Sequence, residues 1–214
     1  MPDSLTKGKN CYLGVFFIVF LTAFLLLPPV IRAQGRKGYY RFPAIHGDLV
    51  VFVSEGDLWS VSIKGGLARR LTTHQGEESH PAISPDGKTL AFSAQYEGPT
   101  EVYTMPLEGG LPKRRTFTGQ TSRVVGWTPT GKIIYATRKY STLPNIQLVV
   151  LDPATNEETL IPLAQAAEGC FTLDEKLLIF TRLPFQGSYT KRYKGGTVQN
   201  LWKFDLAQRS EAVP

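Results

Sequence analysis

A turn followed by an apolar strand that ends in an aromatic recurs four times in this chain. The copies are HGDLVVF (46–52), PDGKTLAF (85–92), PTGKIIY (129–135) and LDEKLLIF (173–180). Their terminal aromatics, Phe52, Phe92, Tyr135 and Phe180, lie 40, 43 and 45 residues apart. After each aromatic comes a second alternating strand: DLWSVSI (57–63), EVYTMPL (101–107), NIQLVVL (145–151) and NLWKFDL (200–206). Apolar residues two apart mark half-buried strands. A turn and a short polar strand follow, as in ARRLT (68–72) and KRRTF (113–117). Before each anchor lies a further strand in which a small residue precedes a bulky one: Ala44-Ile45, Ala82-Ile83, Gly126-Trp127 and Cys170-Phe171.

Four strands per unit at this period are the blades of a β-propeller. A helical solenoid is excluded, because no stretch after residue 35 sustains a 3.6 period. Asp86-Gly87 is read as a hairpin pair, since Asp-Gly accepts the positive φ of a two-residue turn. The small residue before each bulky one is expected where blades crowd at the axis. At that position Cys170 is expected to be a buried, inert thiol.

The first 33 residues read as an address. Lys7 and Lys9 precede the apolar run Leu13–Leu27, which Pro28 and Pro29 stop, and Ala33 offers a small residue for cleavage. A membrane span wants about 20 apolar residues, more than this run supplies. We therefore expect a cleaved signal peptide at 1–33, a linker at 34–38 and an exported, periplasmic or extracellular protein. A membrane association is expected only through an uncleaved signal segment. Removing 1–33 leaves 21 basic and 17 acidic residues. That mild excess suits solubility and gives no reason to expect nucleic acid as a partner.

SPDGK (84–88) followed by LAF, a further strand and Gly-Gly resembles the TolB-type propeller repeat. RFPAIHGDLVVFVSEGDLWSVSIKGGLARRLT (41–72) resembles the opening blade of tricorn-type proteases. HPAISPDGKTLAFSA (80–94), EVYTMPLEGGLPKRRTF (101–117) and KRYKGGTVQNLWKFDL (191–206) continue the likeness in order. The resemblance covers about residues 39 to 206, departing at TPTGK and PATN in the third repeat. It implies an all-β fold: about four blades of a six-bladed ring, at 39–73, 80–118, 124–163 and 168–214 within a partial propeller at 39–214, preceded by a signal-peptide helix. It also implies that the fourth blade lacks most of its outer strand and that the ends of the array expose faces carrying residues such as Trp59 and Trp202.

The resemblance implies the non-catalytic N-terminal propeller segment of an exported serine peptidase. Such a segment shapes a peptide channel or docking surface, with peptides or protein substrates as partners and homo-oligomerisation through the full-length protein. A stand-alone TolB-like periplasmic protein-binding propeller is the alternative. The family's catalytic residues have no counterpart here, so no catalytic residue is expected within the chain. No cofactor and no metal site is expected: His46, His74 and His80 lack ligand spacing. Arg69-Arg70 and Lys113-Arg114-Arg115 are expected to be solvated outer edges, with an acidic partner as the alternative. The second and third strands of the fourth repeat are separated by an insertion containing Lys191, Arg192, Tyr193, Lys194, Gly195 and Gly196. Long loops of this composition often carry function, so these six residues are the expected channel or contact loop.

Overall fold

The computed structural model describes residues 38–185 and 195–208. Fifteen strands fall into four antiparallel sheets in chain order. Blade one is β1 (Arg41–His46), β2 (Leu49–Ser54), β3 (Asp57–Ser62) and β4 (Arg69–Arg70). Blade two is β5 (Glu78–Ile83), β6 (Thr89–Ala94), β7 (Glu101–Pro106) and β8 (Lys113–Arg114). Blade three is β9 (Ser122–Trp127), β10 (Ile133–Thr137), β11 (Gln147–Leu151) and β12 (Glu158–Leu160). Blade four has β13 (Glu168–Phe171), β14 (Leu177–Thr181) and β15 (Leu201–Asp205), three strands among the described residues. The first strands pack in order, β1 on β5, β5 on β9 and β9 on β13, which makes them the inner wall of a propeller. The signal-peptide segment lies outside the described residues.

The SPDGK turn differs from the two-residue hairpin expected of Asp86-Gly87. Ser84–Lys88 forms a longer connection between β5 and β6. Asp86 accepts from Ser84 Oγ (2.5 Å) and from the Lys88 amide (3.1 Å), and Ser84 Oγ in turn accepts from the Thr89 amide (2.9 Å). Such side-chain bonds let Asp and Ser close a loop without a ladder. Blade four repeats the device, with Thr172 donating to Asp174 at 2.6 Å and Glu175 taking the positive φ that Gly87 takes in blade two.

Strand register separates the two faces of each blade. Residues paired across a sheet share a face, and residues two apart along a strand share it too. Phe52↔Trp59, Phe92↔Tyr103, Tyr135↔Val149 and Phe180↔Trp202 occupy one repeat position. In blades two to four this face looks back at the preceding blade. Phe92 and Tyr103 cluster with Val51, Val53 and Leu58 of blade one. Tyr135 and Val149 cluster with Ala91 and Val102 of blade two. Phe180 and Phe204, flanked by Trp202, cluster with Ile134, Ala136 and Leu148 of blade three. Each junction therefore sets a bulky rear face, aromatic in most blades, on a smaller aliphatic forward face.

Two expectations change on this basis. Trp59 lies on the rear face of blade one, which no described residue of another blade covers, but Trp202 lies on the closed face of blade four against blade three. Cys170 is exposed, not buried. It pairs with Ile179 on the forward face of blade four. The equivalent Ala44, Ala82 and Gly126 face a following blade, whereas Cys170 has no following blade over it among the described residues.

The basic runs are exposed at Arg69, Arg70 and Lys113, as expected of an outer edge, but Arg114 and Arg115 are half-buried and several of these side chains are bonded. Arg70 is ion-paired to the buried Asp57, and Arg114 pairs with Glu97 (2.8 Å) and the buried Glu101 (3.2 Å). Thr72 and Thr116 accept from the Leu58 and Val102 amides at 2.9 and 2.8 Å. Thr116 also donates to Glu101. In blade two the acid opening the third strand is thus latched by Arg114 of the fourth and by Thr116 just beyond it; in blade one Arg70 holds Asp57, while Thr72 donates to Glu78 of the next blade. Arg69 and Arg115 reach onward, donating to Glu108 O (2.9 Å) and Pro153 O (2.7 Å) in the next blade's turn. Blade three replaces the latch with Gln147, Leu160 and Pro162 at the same places. Losing a bond to a buried amide and a buried carboxylate costs about 1–3 kcal/mol. Thr116→Val is therefore expected to lower the unfolding free energy by that amount, read as a lower urea midpoint at unchanged slope, measured by equilibrium denaturation against the wild type.

Candidate functional site

Two regions carry polar groups that the core does not require: the inner wall and a cleft beside the insertion in blade four. On the inner wall, β1 and β5 each hold a bulge before a proline, between Arg41 and Ala44 and between Ser79 and Ala82. Phe42 and His80 occupy these bulges with φ of 49° and 50°. Such values are uncommon for residues other than glycine, and bulges re-aim side chains. The Phe42 and His80 rings lie 4.1 Å apart. His80 Nδ1 is buried without a hydrogen-bond partner among the described residues. Beside it, Arg41 pairs with Glu77 and Arg123 with Glu168, each at 2.6 Å.

Burial, followed by the charges of Arg123 and Arg41, lowers the His80 pKa from 6.5 to about 4. A group with a depressed folded pKa of this kind is protonated first in the unfolded chain. Its contribution to stability is complete above the unfolded value and is lost as pH falls from 6.5 toward 4. We expect His80→Asn, which tolerates positive φ, to flatten the stability profile across that window. Urea denaturation at a series of pH values checks this. Parallel profiles for wild type and variant would contradict the arrangement.

The cleft lies between the ends of β14 and β15, whose connection runs from Arg182 to Asn200. It has a volume of about 500 Å³. The Arg182 guanidinium lies 5.2 Å from the Trp202 ring centroid, a cation–π distance. Gln199 Nε2 donates to Leu183 O at 3.0 Å, and the Val198 amide donates to Gly195 O at 3.0 Å, which fixes the near end of the insertion. Gly195 and Gly196 line the cleft with Arg182, Asn200 and Trp202, and Gln165 contributes from the blade three to four link. Lys191, Arg192, Tyr193 and Lys194 lie outside the described residues. Arg182 pairs with no carboxylate among the described residues. The lining therefore offers a cation on an aromatic face, two amide side chains and a glycine backbone. Such a set has the donors to pair with a carboxylate and to hydrogen-bond an extended backbone.

Arg182 and Gln165 carry no signal in the sequence, and Trp202 is expected from it only on an uncovered blade face, not at a site. Arg182 follows β14 directly, and only the fold brings Gln165 beside it. The other histidines are engaged elsewhere: His74 stacks on Tyr96 (3.9 Å) and accepts from the Gly76 amide, and His46 sits against Gly87. No group of three or more metal-ligating side chains occurs among the described residues.

The family model described as "Tricorn protease N-terminal beta propeller domain" matches residues 37–213. The chain belongs to this family. Tricorn protease homolog 1 of Streptomyces coelicolor is 34% identical over 177 residues, covering 80% of this chain and 16% of the relative. The chain thus spans about one sixth of that relative's length. A protein of Sulfurisphaera tokodaii, named as a tricorn-like protease N-terminal subunit, is 28% identical over 202 residues, covering 91% of this chain and 93% of its own length. The crystal structure of the tricorn protease superposes with a TM-score of 0.71 at 24% identity, over 82% of this chain and 18% of the other. TolB from Acinetobacter baumannii superposes with a TM-score of 0.64 at 19% identity, over 81% of this chain and 42% of the other. Both likenesses are those of the propeller fold.

Proposed function

We propose that this chain is a non-catalytic propeller segment of an exported tricorn-like proteolytic system, in which it contacts peptides through the cleft beside the blade-four insertion. The observation that carries this reading is the family match across residues 37–213. The likeness to the Sulfurisphaera protein named as an N-terminal subunit, 28% identical over 91% of this chain, supports a place in such a system. In this reading the segment itself carries out no hydrolysis: His80 packs on Phe42, and His74 is held by Tyr96 and the Gly76 amide.

In this reading Arg182 takes the terminal or side-chain carboxylate of an extended peptide, and Trp202 packs on the adjoining residue. The test is a titration of the purified chain with short peptides, followed by tryptophan fluorescence. Trp202→Phe identifies the responding ring among Trp59, Trp127 and Trp202. We expect saturable quenching without peptide turnover, and weakening by about 1.5–3 kcal/mol on Arg182→Ala, the scale of a hydrogen bond to a charged group. Peptides amidated at the C-terminus are expected to bind less well. Hydrolysis that co-purifies with the chain, or quenching indifferent to Arg182, would overturn the reading.

Export is proposed from Lys7, Lys9 and the Leu13–Leu27 run. N-terminal sequencing of protein made in a bacterium is expected to find a start just after Ala33. A mature species still beginning at Met1 in the membrane fraction would refute it. The TolB-like alternative rests on the superposition with TolB. It predicts capture of a folded protein partner and no response to free peptides.

A further inference from the structure

Blades one and two part at their outer edges to leave a second cleft, of about 470 Å³. Its walls come from the link after β4, the connection between β6 and β7, and the turn and fourth strand of blade two. Both blades have all four strands among the described residues, so the cleft lies within the stack and not at either of its ends.

The lining suits a positive charge. The rings of His74, Tyr96 and Tyr103 all border the cleft. His74 and Tyr96 have centroids 3.9 Å apart with a tilt of 40°, and Tyr96 and Tyr103 are 4.7 Å apart with a tilt of 56°. The rings thus form a corner instead of a stack, and aromatic corners hold ammonium groups through their ring quadrupoles. Tyr103 is only 4% exposed, and its hydroxyl has no hydrogen-bond partner among the described residues. Arg114 also borders the cleft, but each nitrogen of its guanidinium already donates within the chain. Nε reaches Thr116 O at 2.9 Å, Nη1 reaches Glu97 at 2.8 Å and Nη2 reaches Glu101 at 3.2 Å. Little of it is left for an anion.

The charge balance has the same sign. Thr72 and Tyr96 border the cleft and donate to Glu78, whose fully buried carboxylate is close enough to Asp57 to feel its charge. Asp57 Oδ1 is itself buried without a hydrogen-bond partner among the described residues. Asp57, Glu78, Glu97 and Glu101 are met only by Arg70 and Arg114. Arg69 and Glu108, at the Gly110 end, offset one another. Burial raises the Glu78 pKa, yet a proton on Glu78 still leaves one acid in excess. Charge held away from water is costly until a counter-charge meets it. A bare metal ion is a poor match, since no group of three metal-ligating side chains occurs among the described residues and Leu71, Leu111 and Pro112 make much of the wall apolar. An alkyl stem ending in an ammonium satisfies both the apolar and the acidic parts.

We propose that this cleft binds a lysine side chain presented by a polypeptide, with the ammonium against Tyr96, Tyr103 and Glu97 and the stem along Leu71, Leu111 and Pro112. The proposal stands independently of the carboxylate reading at Arg182. The test uses tripeptides blocked at both ends: acetyl-Gly-Lys-Gly-amide and its norleucine and glutamate counterparts. Blocking removes the terminal carboxylate, so Arg182 has nothing to take. Calorimetric titration of the chain is expected to show saturable binding of the lysine peptide, weakened by added salt. The norleucine peptide, which keeps the stem without the charge, should not bind. Glu97 is exposed, and Arg114 keeps its pair with Glu101 without it. Glu97→Lys should therefore leave the urea midpoint unchanged while weakening the lysine peptide by about tenfold or more. Tyr103→Phe, which keeps the ring and removes the hydroxyl, should weaken it less, and Arg182→Ala should leave it unaltered. Equal binding of the lysine and norleucine peptides would reduce the cleft to an apolar groove and overturn the proposal. Preference for the glutamate peptide would overturn it in favour of Arg114 as the recognising group. Absence of binding by the lysine peptide, or binding indifferent to Glu97→Lys, would overturn it as well.

Discussion

The seating of a bulky, mostly aromatic sheet face on a smaller aliphatic one is the contact on which this structure rests. A single four-stranded sheet cannot bury both of its faces. In a twisted stack of such sheets the space between neighbours is filled best when large side chains from one meet small ones from the other. Phe92, Tyr135 and Phe180 supply the large side chains, and Val51, Ala91 and Ile134 lie on the faces that receive them. Polarity follows from this asymmetry. Every blade has a back and a front, so the stack has two unlike ends.

Buried polar groups hold each blade's outer edge. Two-residue strands such as Arg69–Arg70 and Lys113–Arg114 have too few ladder bonds to stay docked by pairing alone. Asp57 and Glu101 hold them by charge, and Thr72 and Thr116 hold them through bonds to backbone amides. Glu78 extends the same logic between blades. Its side chain is fully buried, accepts from the Leu58 amide at 2.9 Å, and is bonded by Thr72 and Tyr96. Burial raises its pKa, and those three bonds act against the rise. A buried acid is tolerated there because donors from both blades converge on it.

The candidate site sits where the repeat is interrupted. The other blades join their second and third strands through shorter connections, whereas blade four inserts Arg182–Asn200. The insertion leaves a cleft walled by Arg182 and Trp202 and floored by glycine backbone. The rigid sheet beneath positions Trp202, whose ring is partly held by the core shared with blade three. Scaffold and recognition are thereby separated: the sheet keeps the packing rule, and the loop is free to differ.

The amino-acid sequence by itself determined the period, the strand order, the places of the turns and the membership of each strand's two alternating sets of residues. It did so because alternation and turn chemistry are local. Which set looks forward and which looks back was decided only by the tertiary structure, because that choice depends on a neighbour some 40 residues away. Trp59 and Trp202 occupy the same place in their repeats, yet one lies on an uncovered face and the other against blade three. Cys170 matches Ala44, Ala82 and Gly126 in sequence and differs from them in exposure for the same reason. The latching role of Arg70 and Arg114 was equally hidden: a basic pair on an edge strand reads as solvated until the fold brings a buried carboxylate beneath it. Gln165 joins the cleft for no local cause at all; it is there because blade four folds back against blade three.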